Sequence, residues 1–311
     1  MSRRGRRPAL AILGALVLPG LLAGCVDVDD EAVIADSGGV AGVPDVDLGG
    51  ITPDPAVVAL VPDEIAAAGV LTVGTDTTYA PAEFLAADGR TPVGYDVDLV
   101  TAIARTMGLD VDVRTAAFTS IIPSVGSRYD VGISSFTITP ERMDAVTMIS
   151  YFNAGEAVTV LAGNPEGVDP DHLCGLTVAV QTGTVEFDEL PGLSDDCVAA
   201  GDPEITPLVF GGQDEVTTNL VGGRADAMYT DSPIAAYAIA RTGDRLEKVG
   251  ETFATADQGI VVAQDDPALA DAVLAALESL QASGDYQRIL DAWGNGEGAV
   301  DRPQINPEVE P

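Results

Sequence analysis

Apolar positions fall into two successive series of strand-like runs and helix-like faces. Order begins near Pro62: Asp63 to Ala68 suits a short helix closed by Gly69, and Val70 to Gly74 reads as a buried strand. After a strand–turn signal ending at Gly94, residues 96–107 place Leu99, Val100, Ile103, Ala104 and Met107 on one helical face. Strands at 111–113 and 131–134 flank a short helix around Ile121 and Ile122. The second series runs from a strand at Leu176 to Val180 through a helix from Gly183, a strand over 205–210, a helix over 213–221 and a strand over 225–230. A strand at 259–262 then leads into a long helix with Asp266 as its cap and Pro267 at its first position. Its apolar face is Leu269, Val273, Ala276, Leu277 and Leu280, and a last short helix carries Tyr286, Ile289, Leu290 and Trp293. Strands alternating with helices predict an α/β fold with ligands at the strand C-termini. Two α/β units emerge, with a C-terminal helix pair that fits either.

Three stretches lack this periodicity. Residues 3–7 are basic, 9–23 are nearly all apolar, and small residues precede Cys25. The apolar run is shorter than the roughly 20 residues that span a bilayer, so residues 1–24 read as an export signal. The segment Leu22-Ala23-Gly24-Cys25 resembles a bacterial lipoprotein box, which makes Cys25 the expected lipidation site and places the chain on the extracytoplasmic face of the membrane. Residues 25–61 read as a flexible tether, and the polar, proline-containing residues 296–311 as a loose tail. With Cys25 spoken for, Cys174 and Cys197 are left in an oxidising compartment. A disulfide there is worth about 3 kcal/mol by loop closure; two separate buried thiols are the alternative.

Charge narrows the function. The chain carries 49 acidic and 15 basic residues for a net charge of −34, with four arginines inside the first seven positions. Such a polyanion is repelled by phosphate backbones, which excludes nucleic-acid binding. One lysine (Lys248) and one histidine (His172) leave little for Schiff-base, histidine or metal chemistry, and no cofactor or metal is implied.

Against this background a few residues look chemical. Thr139-Pro140-Glu141-Arg142 is a helix start that puts Arg142 in the first turn, where the helix dipole disfavours a cation. Either the guanidinium fork grips a ligand carboxylate or it pairs with one of the many acids. Gln181-Thr182-Gly183-Thr184 sits between strand and helix, where free N–H groups bind anions. Asp231 follows a strand and precedes Ser232-Pro233, a position suited to capping the next helix. Tyr79 and Phe118 lie off the periodic apolar faces.

In order, the segments GTDTTYAP (74–81), VGYDVDL (93–99), FTSIIPSV (118–125), TITPER (137–142), QTGTVE (181–186), GRADAMYTDSP (223–233) and DYQRILDAWG (285–294) resemble the polar amino acid class of ABC-importer substrate-binding proteins, the bacterial extracellular solute-binding proteins of family 3. The resemblance covers residues 62–294. It implies a type II periplasmic-binding-protein fold: lobe 1 at 62–157 plus 259–295, lobe 2 at 162–255, and crossings near 157–161 and 255–259. It also implies site roles. Arg142 grips the ligand α-carboxylate, with Ser135 and Thr137 supporting it and Gly183 and Thr184 touching it from the other lobe. Asp231 pairs with the α-ammonium, in place of a capping role. Tyr79 and Phe118 sandwich the ligand side chain, and Asp76 stands at the far end of the pocket. Ala82, Val185, Glu186 and Thr230 depart from common family residues in the side-chain part of the pocket, and the acids Asp76 and Glu186 favour a basic or amide-bearing amino acid.

The reading is a monomeric, non-enzymatic protein that delivers a polar amino acid to an ABC permease. The alternative is a periplasmic lyase of the cyclohexadienyl dehydratase type on the same fold. That chemistry needs an acid/base group over the ligand, and Glu186 or Asp76 are the only candidates. A sensory or peptidoglycan-associated module of this fold is the third reading.

Overall fold

A computed structural model describes residues 42–243 and 245–309. The short helices α1 (Pro55–Val58) and α2 (Asp63–Ala68) precede β1 (Val70–Thr75), and Gly69 closes α2 in the left-handed conformation that glycine adopts without a Cβ penalty. Three short strands, β2 (Thr78–Tyr79), β3 (Glu83–Leu85) and β4 (Pro92–Val93), form a small antiparallel sheet. Helix α3 (Tyr95–Thr106), β5 (Asp110–Thr115), α4 (Phe118–Ile121), β6 (Val131–Thr137) and α5 (Pro140–Ala145) follow. The second series is β8 (Thr177–Gln181), α6 (Val185–Ala200), β9 (Thr206–Phe210), α7 (Gln213–Val221), β10 (Ala227–Asp231) and α8 (Ser232–Thr242). Two long strands, β7 (Thr147–Leu161) and β11 (Leu246–Val262), lie antiparallel to each other, and α9 (Pro267–Ser283) and α10 (Asp285–Ala292) complete the chain.

The long strands explain the two-lobed architecture. The strand order is β5-β1-β6-β11-β7-β10-β8-β9. One end of β11 pairs with β6 of lobe 1, while the far end of β7 pairs with β10 of lobe 2. β1 is parallel to β5 and β6, and β8 is parallel to β9 and β10, so each lobe brings its strand C-termini toward the other. Lobe 1 is filled by α3 and α9 through Leu99, Ile103, Leu269, Val273, Ala276, Leu277 and Leu280, the periodic positions of the sequence, with Ile289, Leu290 and Trp293 of the C-terminal helix. Lobe 2 has its own core around Val158, Val178, Val180, Leu190 and Tyr229. Cys174 and Cys197 are joined as a disulfide.

Three boundaries differ from expectation. The first crossing lies before residues 157–161, because β7 is already hydrogen-bonded to lobe 2 from Glu156 to Thr159. Within the expected tether, residues 46–61 pack on lobe 1. Ile51, Val57 and Val61 are buried in its core, Asp54 N–H donates to Thr106 O at 2.9 Å, and Ser279 Oγ donates to Asp54 Oδ2 at 2.9 Å. The tail is also bound: Ile305 bridges Ile149, Ser150 N–H donates to Gln304 O at 2.9 Å, and Asn306 N–H donates to Met148 O at 2.7 Å. The first segment docks through a few apolar side chains and single hydrogen bonds and the second largely through backbone hydrogen bonds, and neither leaves a periodic signal. Cys25, the export signal, the rest of the tether up to residue 41, and residues 310–311 lie outside the described residues.

Candidate functional site

Between the lobes lies a narrow, nearly closed cleft lined by Tyr79, Phe118, Ser135, Thr137, Arg142, Thr184, Val185, Glu186 and Asp231. Most stand at or close to an element end. Tyr79 ends β2, Phe118 opens α4, and Ser135 and Thr137 close β6. Thr184 caps α6, and Asp231 closes β10.

Thr139 Oγ1 accepts the Arg142 N–H at 3.2 Å and fixes the start of α5. The guanidinium donates to Thr137 O at 2.8 Å and across the cleft to Gly183 O at 3.0 Å. It lies 5.6 Å from the ring centre of Phe118 and 5.9 Å from that of Phe136, two rings stacked 4.8 Å apart. Burial pulls its pKa down, and the charges of Glu186, Asp188 and Asp231 pull it back up. No ion pair joins Arg142 to any carboxylate among the described residues. Among the described residues the half-buried guanidinium is held by two backbone carbonyls and two aromatic rings, with acids near it but none in a salt bridge.

Asp231 occupies the N-cap position of α8, yet its side chain makes no capping bond. Its Oδ2 instead accepts Tyr79 Oη at 2.8 Å from lobe 1 and Gln258 Nε2 at 3.0 Å. Burial raises its pKa to about 6, against the pull of the Tyr79 hydroxyl, Arg142 and the Gln258 amide. Tyr79 also meets Thr230 Oγ1 at 3.2 Å. Glu186, in the first turn of α6, is 1% exposed and its Oε1 has no hydrogen-bond partner. Burial, then the neighbouring Asp231 charge, drive its carboxyl well above the ordinary range.

Gly183 reaches the site through its carbonyl. Its φ is +80°, and a Cβ there would stand 2.6 Å from Thr119 Cγ2 on lobe 1, so only glycine lets the lobes approach this closely. Ser135 holds φ at +51°, rare for serine, and its buried Oγ has no partner.

The cavity therefore brings together Tyr79, Phe118, Ser135, Thr137, Arg142, Thr184 and Asp231, with Gly183 at its rim. Asp76 departs from expectation: it does not line the cavity. Its Oδ2 accepts Phe118 N–H at 3.2 Å and Gln181 Nε2 at 2.9 Å, and its Oδ1 accepts Thr78 Oγ1 at 3.0 Å. It thus binds lobe 1 to lobe 2 directly. Of the four residues that the resemblance puts in the side-chain part of the pocket, Val185 and Glu186 are among the lining residues, while Ala82 and Thr230 are not.

Residues 71–296 match the bacterial extracellular solute-binding proteins, family 3. The chain belongs to this family. It is 38% identical over 246 residues, 78% of this chain and 80% of the relative, to the arginine-binding protein ArgT of Corynebacterium glutamicum. Among solved structures it resembles an ancestral arginine-binding protein bound to arginine, with a TM-score of 0.66 and 34% identity over 72% of this chain and 98% of that one. It also resembles the ancestral amino acid-binding protein AncCDT-1, a precursor of cyclohexadienyl dehydratase, with a TM-score of 0.63 and 30% identity over 76% of this chain and 99% of that one. These matches agree with the type II two-lobed fold. Family members of this kind are extracytoplasmic, and no helix among the described residues is long and apolar enough to cross a membrane.

Proposed function

We propose that the chain, a substrate-binding protein that captures an amino acid for an ABC importer, takes L-arginine. The α-carboxylate is assigned to Arg142 with the Thr184 helix start behind it, and the α-ammonium to Asp231. A zwitterion carries one anion and one cation, each costly to desolvate unless paired. Arg142 comes from lobe 1 and Asp231 from lobe 2, so both charges are met only in the closed cleft, and the ligand favours closure by that difference in affinity.

One observation carries the side-chain assignment: the cavity keeps a second buried carboxyl, Glu186, with an unbonded oxygen. A neutral side chain leaves that acid buried and unpaired, whereas a guanidinium supplies both charge and donors. The arginine named for its relatives points the same way. Thermal-shift screening of the twenty amino acids, followed by calorimetry, tests this. L-arginine is expected to bind at least tenfold more tightly than L-glutamine, and equal affinities would overturn the choice of arginine.

We read the chain as a carrier rather than an enzyme. Arginine recovered unchanged by mass spectrometry after prolonged incubation supports that reading; a new product would support the lyase. The remaining proposals are a monomer, anchored through a lipidated Cys25. A Cys25→Ser protein that stays with the membrane would contradict the anchor.

A further inference from the structure

Directly behind Ser135 lie two carboxyl groups with no solvent access, Glu83 on β3 and Asp96 in the first turn of α3. Burial, then the Asp96 charge, drive the Glu83 carboxyl well above the ordinary range, and burial raises that of Asp96 to about 7. Glu83 Oε2 and Asp96 Oδ1 have no hydrogen-bond partner. Among the described residues no salt bridge reaches either carboxyl, and a single proton shared between them would satisfy both oxygens where two ionised carboxylates would repel. The other oxygens are engaged: Glu83 Oε1 accepts Ser134 Oγ at 2.6 Å, and Asp96 Oδ2 accepts Tyr151 Oη at 2.7 Å and Ser135 N–H at 3.1 Å. Ser135 is the residue whose backbone is left-handed and which lines the cavity.

We propose that Asp96 is a positioning residue for the bound amino acid: Oδ2 holds the Ser135 N–H, and with it the left-handed turn that brings Ser135 Oγ to the ligand. Glu83 acts behind it, keeping the Asp96 carboxyl in the orientation that leaves Oδ2 for Ser135. The inference rests on Ser135 being a ligand contact. Without the grip of Asp96 nothing offsets the cost of a serine at φ +51°, and the turn relaxes toward the extended backbone of β6.

Calorimetric titration of L-arginine into the full chain and its variants tests the chain of contacts. Ser135→Ala is expected to weaken binding about tenfold. Asp96→Ala is expected to weaken it tenfold or more, and Asp96→Asn to restore it to within about threefold. The asparagine oxygen accepts the same two bonds, while its amide donates to Glu83 in place of the shared proton. Adding Ser135→Ala to Asp96→Ala should cost nothing further, because that contact is already lost. Rescue by asparagine and this non-additivity are results that a merely structural role would not give.

The combination of Asp96→Asn with Glu83→Gln keeps both volumes but drives two amide NH₂ groups together. It is expected to lose at least tenfold where each single variant stays within about threefold, and it serves if Asp96→Ala does not fold. Native affinity in Asp96→Ala, or in the double variant if Asp96→Ala does not fold, or a full extra tenfold from Ser135→Ala on top of Asp96→Ala, would overturn the proposal. Native affinity in Ser135→Ala alone would instead remove Ser135 from the ligand contacts, and this inference with it, while leaving Arg142 and Asp231 in place.

Discussion

The two lobes face each other with opposite chemistry. Lobe 1 brings the cation Arg142, seated on the Phe118 and Phe136 rings, and the hydroxyl of Tyr79. Lobe 2 brings the acids Asp231 and Glu186 and the start of α6. Each face alone leaves its charges costly. Burial pulls the Arg142 pKa down and pushes Asp231 and Glu186 up, the signature of charged groups short of partners. The direct bonds between lobes, Tyr79 to Asp231 and Arg142 to Gly183 O, offset this only partly. On the proposed reading a zwitterion would supply the missing charges of both signs at once, and neither half would be a binding site by itself.

Removing the lobe 1 cation should break the arrangement most. Arg142→Ala is expected to cost about 3 kcal/mol or more, over a hundredfold in affinity, by leaving a buried ligand carboxylate unpaired. Calorimetry checks this, and a loss of less than threefold would mean that the carboxylate sits elsewhere. Next in size is the approach of the lobes. Gly183→Ala places a methyl against Thr119 at a φ that disfavours alanine, so affinity should fall about tenfold and small-angle scattering should show a more open ligand-bound form.

Acidity weakens the lobe 2 face specifically. The ammonium needs an ionised Asp231, whose pKa in the unliganded protein is raised to about 6. Below that pH a proton must leave before the ligand can pair, so affinity should drop by up to about tenfold per pH unit as pH falls from 6 to 5. Glu186, raised for the same reason, extends the trend upward in pH. Stability of the empty protein has the opposite sign. Between the ordinary aspartate range and pH 6 the native state holds a proton that the unfolded chain has released, so rising pH destabilises it across that window. Denaturant titrations across this range, with and without arginine, separate the two slopes.

Sequence periodicity carried far in this molecule, for physical reasons that also mark its limits. Helices α3 and α9 were legible because Leu99, Ile103, Leu269, Val273 and Leu277 repeat at helical spacing on faces that bury completely. Arg142 stood out as a cation at a helix start, yet α5 is only six residues long and its last turn also holds Arg142, so the helix dipole weighs little there. Among the described residues no carboxylate forms a salt bridge with it. The long strands β7 and β11 were not read as such. They change lobe midway, so their burial pattern answers to two cores in turn. Asp231 illustrates the limit of local chemistry: its sequence context is that of a cap, and only the tertiary approach of Tyr79 and Gln258 turns its carboxylate toward the cleft. Asp76 shows the reverse, an acid placed by resemblance in the pocket that the closed lobes use to hold Gln181.

The smallest effect on binding is expected from the disulfide. It closes a separation of 23 residues within lobe 2, away from the cavity lining. Replacing Cys174 and Cys197 together by serine should cost about 3 kcal/mol of stability, a fall in Tm of about 6–12 °C, with the arginine affinity unchanged. A large change in affinity would mean that lobe 2 needs this brace to present Asp231.

Solving the crystal structure of the complex with L-arginine tests the pairing of the two faces most directly. The ligand α-carboxylate is expected on the Arg142 guanidinium, its α-ammonium on Asp231 and its side-chain guanidinium against Glu186. A ligand bound with its carboxylate away from Arg142, or with its ammonium on lobe 1 alone, would contradict that pairing.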